Sequence, residues 1–149
     1  MRNLLSFAIA VLLQIGISFA QGSETFFNIG AAATSYGPQT WTGDNGLLWN
    51  AVNGRTDQAL TGKAMTIRDA GGNITCNAIP GGCGTLTFNY VRAFTTGSPV
   101  VQLYINGSPY GSTFTSTSAT LQNTGAIAVN AAAPFNLEIR QTAAGASNR

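Results

Sequence analysis

The residues able to do chemistry are few in this chain, and their types exclude more than they permit. None of the 149 residues is histidine, so no Ser-His-Asp or Cys-His arrangement can be assembled and no imidazole can ligate a metal. The carboxylates are Glu24, Asp44, Asp57, Asp69 and Glu138. A glycosidase needs two of them facing each other across the scissile bond. Asp44, Asp57 and Asp69 stand in turn-like or strand-end contexts, where short acidic side chains accept hydrogen bonds from the local backbone. Glu138 alternates outward from a strand-like segment, and Glu24 sits in the N-terminal part of the chain. The glycines mark turns and do not form a phosphate-binding loop between a strand and a helix. A non-catalytic protein is therefore expected.

Two other groups of residues offer binding chemistry. Asp44 and Asn45, in the loop Gly43-Asp44-Asn45-Gly46, could give side-chain oxygens to a calcium ion, which prefers carboxylate and carbonyl ligands. They are the candidate metal residues, although no D-x-D-x-D-G run accompanies them. Sugars pack their apolar C–H faces on flat rings, and Trp41, Tyr36, Tyr104 and Tyr110 are the candidate ligand-binding aromatics. Tyr104 alternates opposite to Leu103 and Ile105, and Tyr110 lies just beyond a hairpin turn. Trp41 and Trp49 flank the Asp44 turn and could meet across a hairpin. The alternative for both tryptophans is a place in the core, more so for Trp49 beside Leu47 and Leu48.

The cysteines, Cys76 and Cys83, enclose Asn77-Ala78-Ile79-Pro80-Gly81-Gly82, a turn by composition. In an oxidising compartment such a pair is expected to form a disulfide. A redox pair or a metal site is the rival reading, disfavoured by a spacing other than C-x-x-C and by the missing histidines.

The compartment is read from the N-terminus. Residues 1–20 carry Arg2, an apolar run from Leu4 to Ile17, and Ser18-Phe19-Ala20 before Gln21, the anatomy of a secretory signal peptide. The rival readings are a membrane anchor and a buried helix, but the run is short for a span of about 20 residues. Residues 21–149 then form a single domain, destined for the extracellular space, the periplasm or the cell surface, with no membrane association after cleavage. Charged residues make up only 8% of the chain, against the usual ~25%. Beyond Arg2 there are six basic and five acidic residues, a net charge of +1. Arg55, Lys63, Arg68, Arg92, Arg140 and Arg149 are scattered and form no basic stripe in the sequence, so nucleic acid is not an expected partner.

The elements that must position these residues are strands. Leu86, Phe88, Tyr90 and Phe94 share one face of an alternating run. Val101, Leu103 and Ile105 alternate with Gln102, Tyr104 and Asn106, and Phe135, Leu137 and Ile139 with Asn136, Glu138 and Arg140. Shorter candidates are 47–51, 64–69 and 125–130. Turn signals fall at Gly43–Gly46, Asn53-Gly54, Ala70–Asn73, Gly97–Pro99 and Asn106-Gly107. The last fits a type I′ hairpin turn, whose two central positions need positive φ. No amphipathic helix is apparent. The expected fold class is all-β, an antiparallel β-sandwich.

A resemblance adds to this. The segments Glu24–Asn28, Trp41–Trp49, Thr61-Gly62-Lys63, Gly81–Tyr90 and Leu103–Gly107, in this order, resemble a jelly-roll module attached to secreted bacterial multidomain proteins. That module accompanies extracellular nucleases, lamin-tail-like domains and glycan-active enzymes. The resemblance implies a jelly-roll sandwich similar in shape to carbohydrate-binding modules, and it strengthens the expectation of a structural calcium. Two departures stand out. Cys83-Gly84 replaces the usual Ile-Gly, and the strand that normally follows Glu138-Ile139-Arg140 has no counterpart in this sequence, so either the sequence is a fragment or the sheet lacks its closing strand, which would leave an open sheet edge. The expected function is a secreted, non-catalytic binding module for a polysaccharide or other glycan. The alternatives are a structural or adhesive protein acting through an open edge, and an accessory domain of a larger secreted enzyme.

Overall fold

The computed structural model describes residues 22–149. The signal-peptide reading of residues 1–20 falls outside the described residues. The described chain forms strands β1 (Gly37–Thr42), β2 (Leu48–Arg55), β3 (Thr66–Ile67), β4 (Asn73–Ile79), β5 (Cys83–Leu86), β6 (Asn89–Tyr90), β7 (Val100–Ile105), β8 (Ser108–Thr115), β9 (Gln122–Asn123), β10 (Ile127–Ala131) and β11 (Phe135–Gln141). All pairs are antiparallel, and no helix occurs among the described residues. This is the expected all-β class.

Strands β1-β2-β4-β11-β7-β8 make the large sheet in that order, with β3 also paired to β2. Gly54 of β2 pairs with Gly37 of β1 and with Ile67 of β3. Strand β3 therefore lies on the same side of β2 as β4, and Arg68–Gly72 bulges out between the two. Alternation carries one face of this sheet inward. Trp41, Trp49, Cys76, Leu137 and Ile105 fall in one register row, and Ala51, Ile74, Ile139, Leu103 and Tyr110 in the next. Leu103 and Cys76 are wholly buried. The opposite face carries the row Thr40, Asn50, Thr75, Glu138, Tyr104 and Pro109.

The remaining strands form a narrow ribbon. Strand β5 pairs with β10 and β6 with β9, so 83–90 runs antiparallel to 122–131 with an interruption in each strand. Val129 and Ala131 of β10 join the same buried cluster as the sheet rows, with Cys83, Leu86 and Ile127 packed against it. Burying a side chain the size of Val129 contributes roughly 1.5–3 kcal/mol, and the single methyl of Ala131 about 0.8 kcal/mol. The Tyr110 hydroxyl on β8 donates to the Ala128 carbonyl at 2.5 Å, and Phe114 packs against Phe88 and Tyr90. Ile29, from the segment before β1, is also buried in the cluster.

Two sequence expectations change here. Asn53-Gly54 is not a turn between elements but lies inside β2, where Asn53 takes φ 52°. The two residues form an irregularity that the strand absorbs, because the β1–β2 register shifts at this level. The Cys76–Cys83 disulfide is not formed, and both thiols are free. Cys76 belongs to the large sheet and Cys83 to the ribbon, so the turn between them carries the chain from one layer to the other. The Asn106-Gly107 turn is as expected, with φ of 51° and 79° between the paired Ile105 and Ser108.

Candidate functional site

The ribbon is narrower than the sheet it faces, and a cleft of about 690 Å³ opens between them. That size lies within the range of roughly 300–1,000 Å³ usual for ligand pockets. Ile74, Val101 and Ile139 of the large sheet line it on one side and Phe88 and Tyr90 of the ribbon on the other. Gln58, Asn89 and Asn123 bring amide groups to its wall, and Phe26 a further ring. Asn123 Nδ2 donates to Asn89 Oδ1 and Gln58 Nε2 to Asp57, which leaves each of the three amides an N–H to offer a ligand. Its charged lining residues are Glu24, Lys63, Arg92 and Arg149. The Glu24 carboxylate is occupied by the protein, since Oε1 accepts from the Phe26 N–H and the Trp41 indole N–H, and Oε2 from the Asp44 N–H.

The four aromatic candidates are not brought together. Trp41 is a core residue and not a platform. It is 5% exposed, its ring stacks on Trp49 at 6.0 Å and 14°, and its N–H is held by Glu24. The two tryptophans do meet across the β1–β2 hairpin. Gly43 is required for this packing, because a Cβ there would lie 2.6 Å from the Trp49 indole nitrogen and 2.1 Å from the Glu24 carboxylate. Tyr110 is also committed, its hydroxyl tying β8 to β10. Tyr104 faces outward on the large sheet, beneath the Arg140 guanidinium at 4.1 Å. The groove beside it measures only about 160 Å³, small for a sugar ring and its hydroxyl partners by the same pocket range.

Asp44 and Asn45 hold the turn with their side-chain oxygens. Asp44 Oδ2 accepts the Thr25 N–H at 2.8 Å and Asn45 Oδ1 the Leu47 N–H at 3.1 Å. Their oxygens stabilise the β1–β2 turn, and no group of three or more acidic or cysteine ligands occurs among the described residues. The cysteine thiols sit in settings that favour the protonated form. Burial, helped by the charge of Glu24, pushes the Cys76 thiol up to about 11, and burial also raises Cys83. A thiol so raised stays protonated at neutral pH.

Tyr36 is the candidate in the most unusual setting. The Arg68 guanidinium carbon lies 4.2 Å and that of Arg55 5.2 Å from its ring centre. Arg55 reaches on to Phe94 at 5.0 Å, and Arg149 covers Phe94 at 4.4 Å. Three arginines and two rings thus alternate in one stack. Burial raises the Tyr36 phenol above its ordinary value, while the charges of Arg149, Arg55 and Arg68 pull the other way. The sequence places these residues at 36, 55, 68, 94 and 149, and nothing in their spacing announces that they meet. The cleft residues Phe88 and Tyr90 were also missed as a site, because alternation alone assigns them to a covered face.

No family model matches the chain, and no curated protein or solved structure matches it either.

Proposed function

We propose that this chain is a secreted, non-catalytic binding module of jelly-roll type that takes a carbohydrate in the cleft between the large sheet and the ribbon. The observation that carries the reading is the lining of that cleft. Aromatic rings (Phe88, Tyr90 and Phe26) stand with amides (Gln58, Asn89 and Asn123) around a volume of about 690 Å³. Rings receive the apolar C–H face of a sugar and amides pair with its hydroxyls, the mixture of broad apolar surface and a few placed polar groups that small-ligand sites use. Two facing antiparallel layers around one core support the jelly-roll reading, and the polar, charge-poor composition supports export.

The test is a binding survey of the purified protein against neutral and acidic polysaccharides, with Tyr90→Ala alongside. The expected outcome is retention by one glycan class, weakened about tenfold or more in Tyr90→Ala, with both proteins melting cooperatively. A folded protein that binds no glycan overturns the proposal.

A second reading has its own observation. Strands β5 and β10 pair only with each other, and β1 and β8 end the large sheet. Each offers unpaired backbone groups to a strand from another protein. Strand addition would appear as a protein complex that survives saturation of the cleft with sugar.

A further inference from the structure

The arginines stacked on aromatic rings fall into two kinds. Stacking uses the flat face of a guanidinium and leaves its N–H groups pointing outward in the plane, where they match a planar acidic group. In Arg55 and Arg140 those edges are already filled. Arg55 makes a two-point contact with Asp57, at 2.6 and 2.5 Å, and Arg140 with Glu138, at 2.7 and 2.8 Å. Arg68 is different. Its guanidinium lies on Tyr36 at 4.2 Å, donates no hydrogen bond among the described residues, and has only Asp69, at 3.9 Å, for a charge partner. About a third of its side chain is exposed. Arg149 lies on Phe94 at 4.4 Å and uses a single donor, on the Ala146 carbonyl. The stack therefore holds two guanidinium planes fixed and leaves most of their donors unspent.

Keeping a charged fork immobilised and unpaired costs stability, unless an anion completes it. The stack is also continuous with the cleft. Arg149 lines the cleft as well as covering Phe94. Gln58, whose amide donates to Asp57 at 2.9 Å, lines it too. A chain-like ligand seated in the cleft passes within reach of the stack.

We infer that Arg68 and Arg149, braced by Tyr36 and Phe94, bind the acidic substituents of a polysaccharide, either carboxylates or sulfate esters. This rests on the cleft reading above and narrows its ligand from glycans in general to acidic ones. A nucleic acid fits less well. Its regular phosphates call for a stripe of cations, whereas here the cations are set apart: Arg68 and Arg149 lie in the stack, and Lys63 and Arg92 of the cleft wall each spend a donor on a backbone carbonyl, of Ile29 and Gly97.

The experiment is calorimetric titration of the full chain with matched oligosaccharides: a neutral galactose oligomer, its carboxylated galacturonate counterpart and its sulfated counterpart. A single-stranded deoxyoligonucleotide is the further arm. Arg68→Gln and Tyr90→Ala are titrated in parallel, and thermal melts establish that both are folded. Arg68→Gln gives up the contact with the Tyr36 ring and the distant Asp69 but no side-chain hydrogen bond, so it is expected to stay folded with a melt close to the parent's. The expected result is that one acidic oligomer binds about tenfold or more tighter than the neutral one at low salt, that Arg68→Gln erases this preference, and that Tyr90→Ala weakens both. Which acidic oligomer is preferred decides between carboxylate and sulfate. Equal binding of acidic and neutral oligomers overturns the inference and leaves the cleft reading standing. Acidic preference unaffected by Tyr90→Ala upholds the stack as an anion site and removes the cleft reading. Tighter binding of the oligonucleotide, or no binding of any oligomer, overturns the inference.

Discussion

The large sheet and the ribbon are built from the same kinds of residue yet are held differently. Strand β11 runs in unbroken register with β7 from Leu137 to Gln141, and every second residue along both lands in the core. The ribbon is interrupted between β5 and β6, and again between β9 and β10. Its side chains toward the cleft, Phe88 and Tyr90, are only half-buried. Backbone pairing and packing reinforce each other in the sheet, while the ribbon relies on a few anchors: Val129, Ala131, and the Tyr110 hydroxyl on Ala128. A rigid wall facing a weakly held one is what an open cleft requires, because packing that fastened the ribbon as tightly as the sheet would fill the cleft.

The largest effect is expected in the sheet. Leu103 is wholly buried, and Leu103→Ala should lower unfolding free energy by about 2–5 kcal/mol, the lost transfer energy plus the cavity left behind. Urea unfolding followed by tryptophan fluorescence measures it through Trp41 and Trp49. Val129→Ala in the ribbon removes fewer carbons from a less constrained site and should cost less, about 0.8 kcal/mol per methylene-sized group. If Val129→Ala proves the costlier change, the ribbon is not the weaker layer and the comparison fails.

A smaller effect sharpens it. Tyr110→Phe deletes the one side-chain hydrogen bond from β8 to the Ala128 carbonyl, a loss of about 0.5–1.5 kcal/mol. If the ribbon opens as a unit of its own, amide hydrogen exchange in β5 and β10 should quicken in this variant while that in β7 and β11 stays slow. Uniform acceleration across both layers would mean that they open together.

The two layers were also unequally legible. Clean alternation marks β7 and β11, and the positive-φ pair Asn106-Gly107 fixes the β7–β8 turn. Strand β4 is poorly announced by the sequence, although Ile74 and Cys76 alternate with Asn73, Thr75 and Asn77, because a polar strand between turn signals looks like more loop. The sequence leaves Trp41 between platform and core for a related reason. Its neighbours Thr40 and Thr42 face solvent, and one inward ring in a polar strand carries no periodic signal of its own. The width of the ribbon, and hence the cleft, is a long-range quantity set by which strands pair. The arginine stack is the extreme case, since the six cations after Arg2 look scattered along the chain and three of them meet only when β2, the β3–β4 bulge and the C-terminal segment converge.

The smallest expected effect tests how that stack is fastened to the sheet. Arg55 at the end of β2 grips Asp57, and this hydrogen-bonded contact, with further help from the Gln58 amide and the Arg55 charge, lowers the Asp57 carboxyl from 3.8 to about 2. The groups facing Asp57 are Arg55 and Gln58, and the Tyr36 ring lies beyond Arg55. A carboxyl with a depressed folded value stabilises the fold above its ordinary titration range, and that contribution is lost as pH falls through the folded value. The parent should therefore lose thermal midpoint between about pH 4 and pH 2 relative to Asp57→Asn, and the difference between the two proteins should narrow toward the acid end, the parent being the more stable at neutral pH, where the half-buried pair is intact. Asp57→Asn also releases the in-plane donors of Arg55, which then resemble those of Arg68. At neutral pH the variant should bind the acidic oligomer no more weakly than the parent. Weaker binding would mean that Asp57 positions the stack as well as neutralising part of it, and that the rigidity of the large sheet reaches the anion site through this pair.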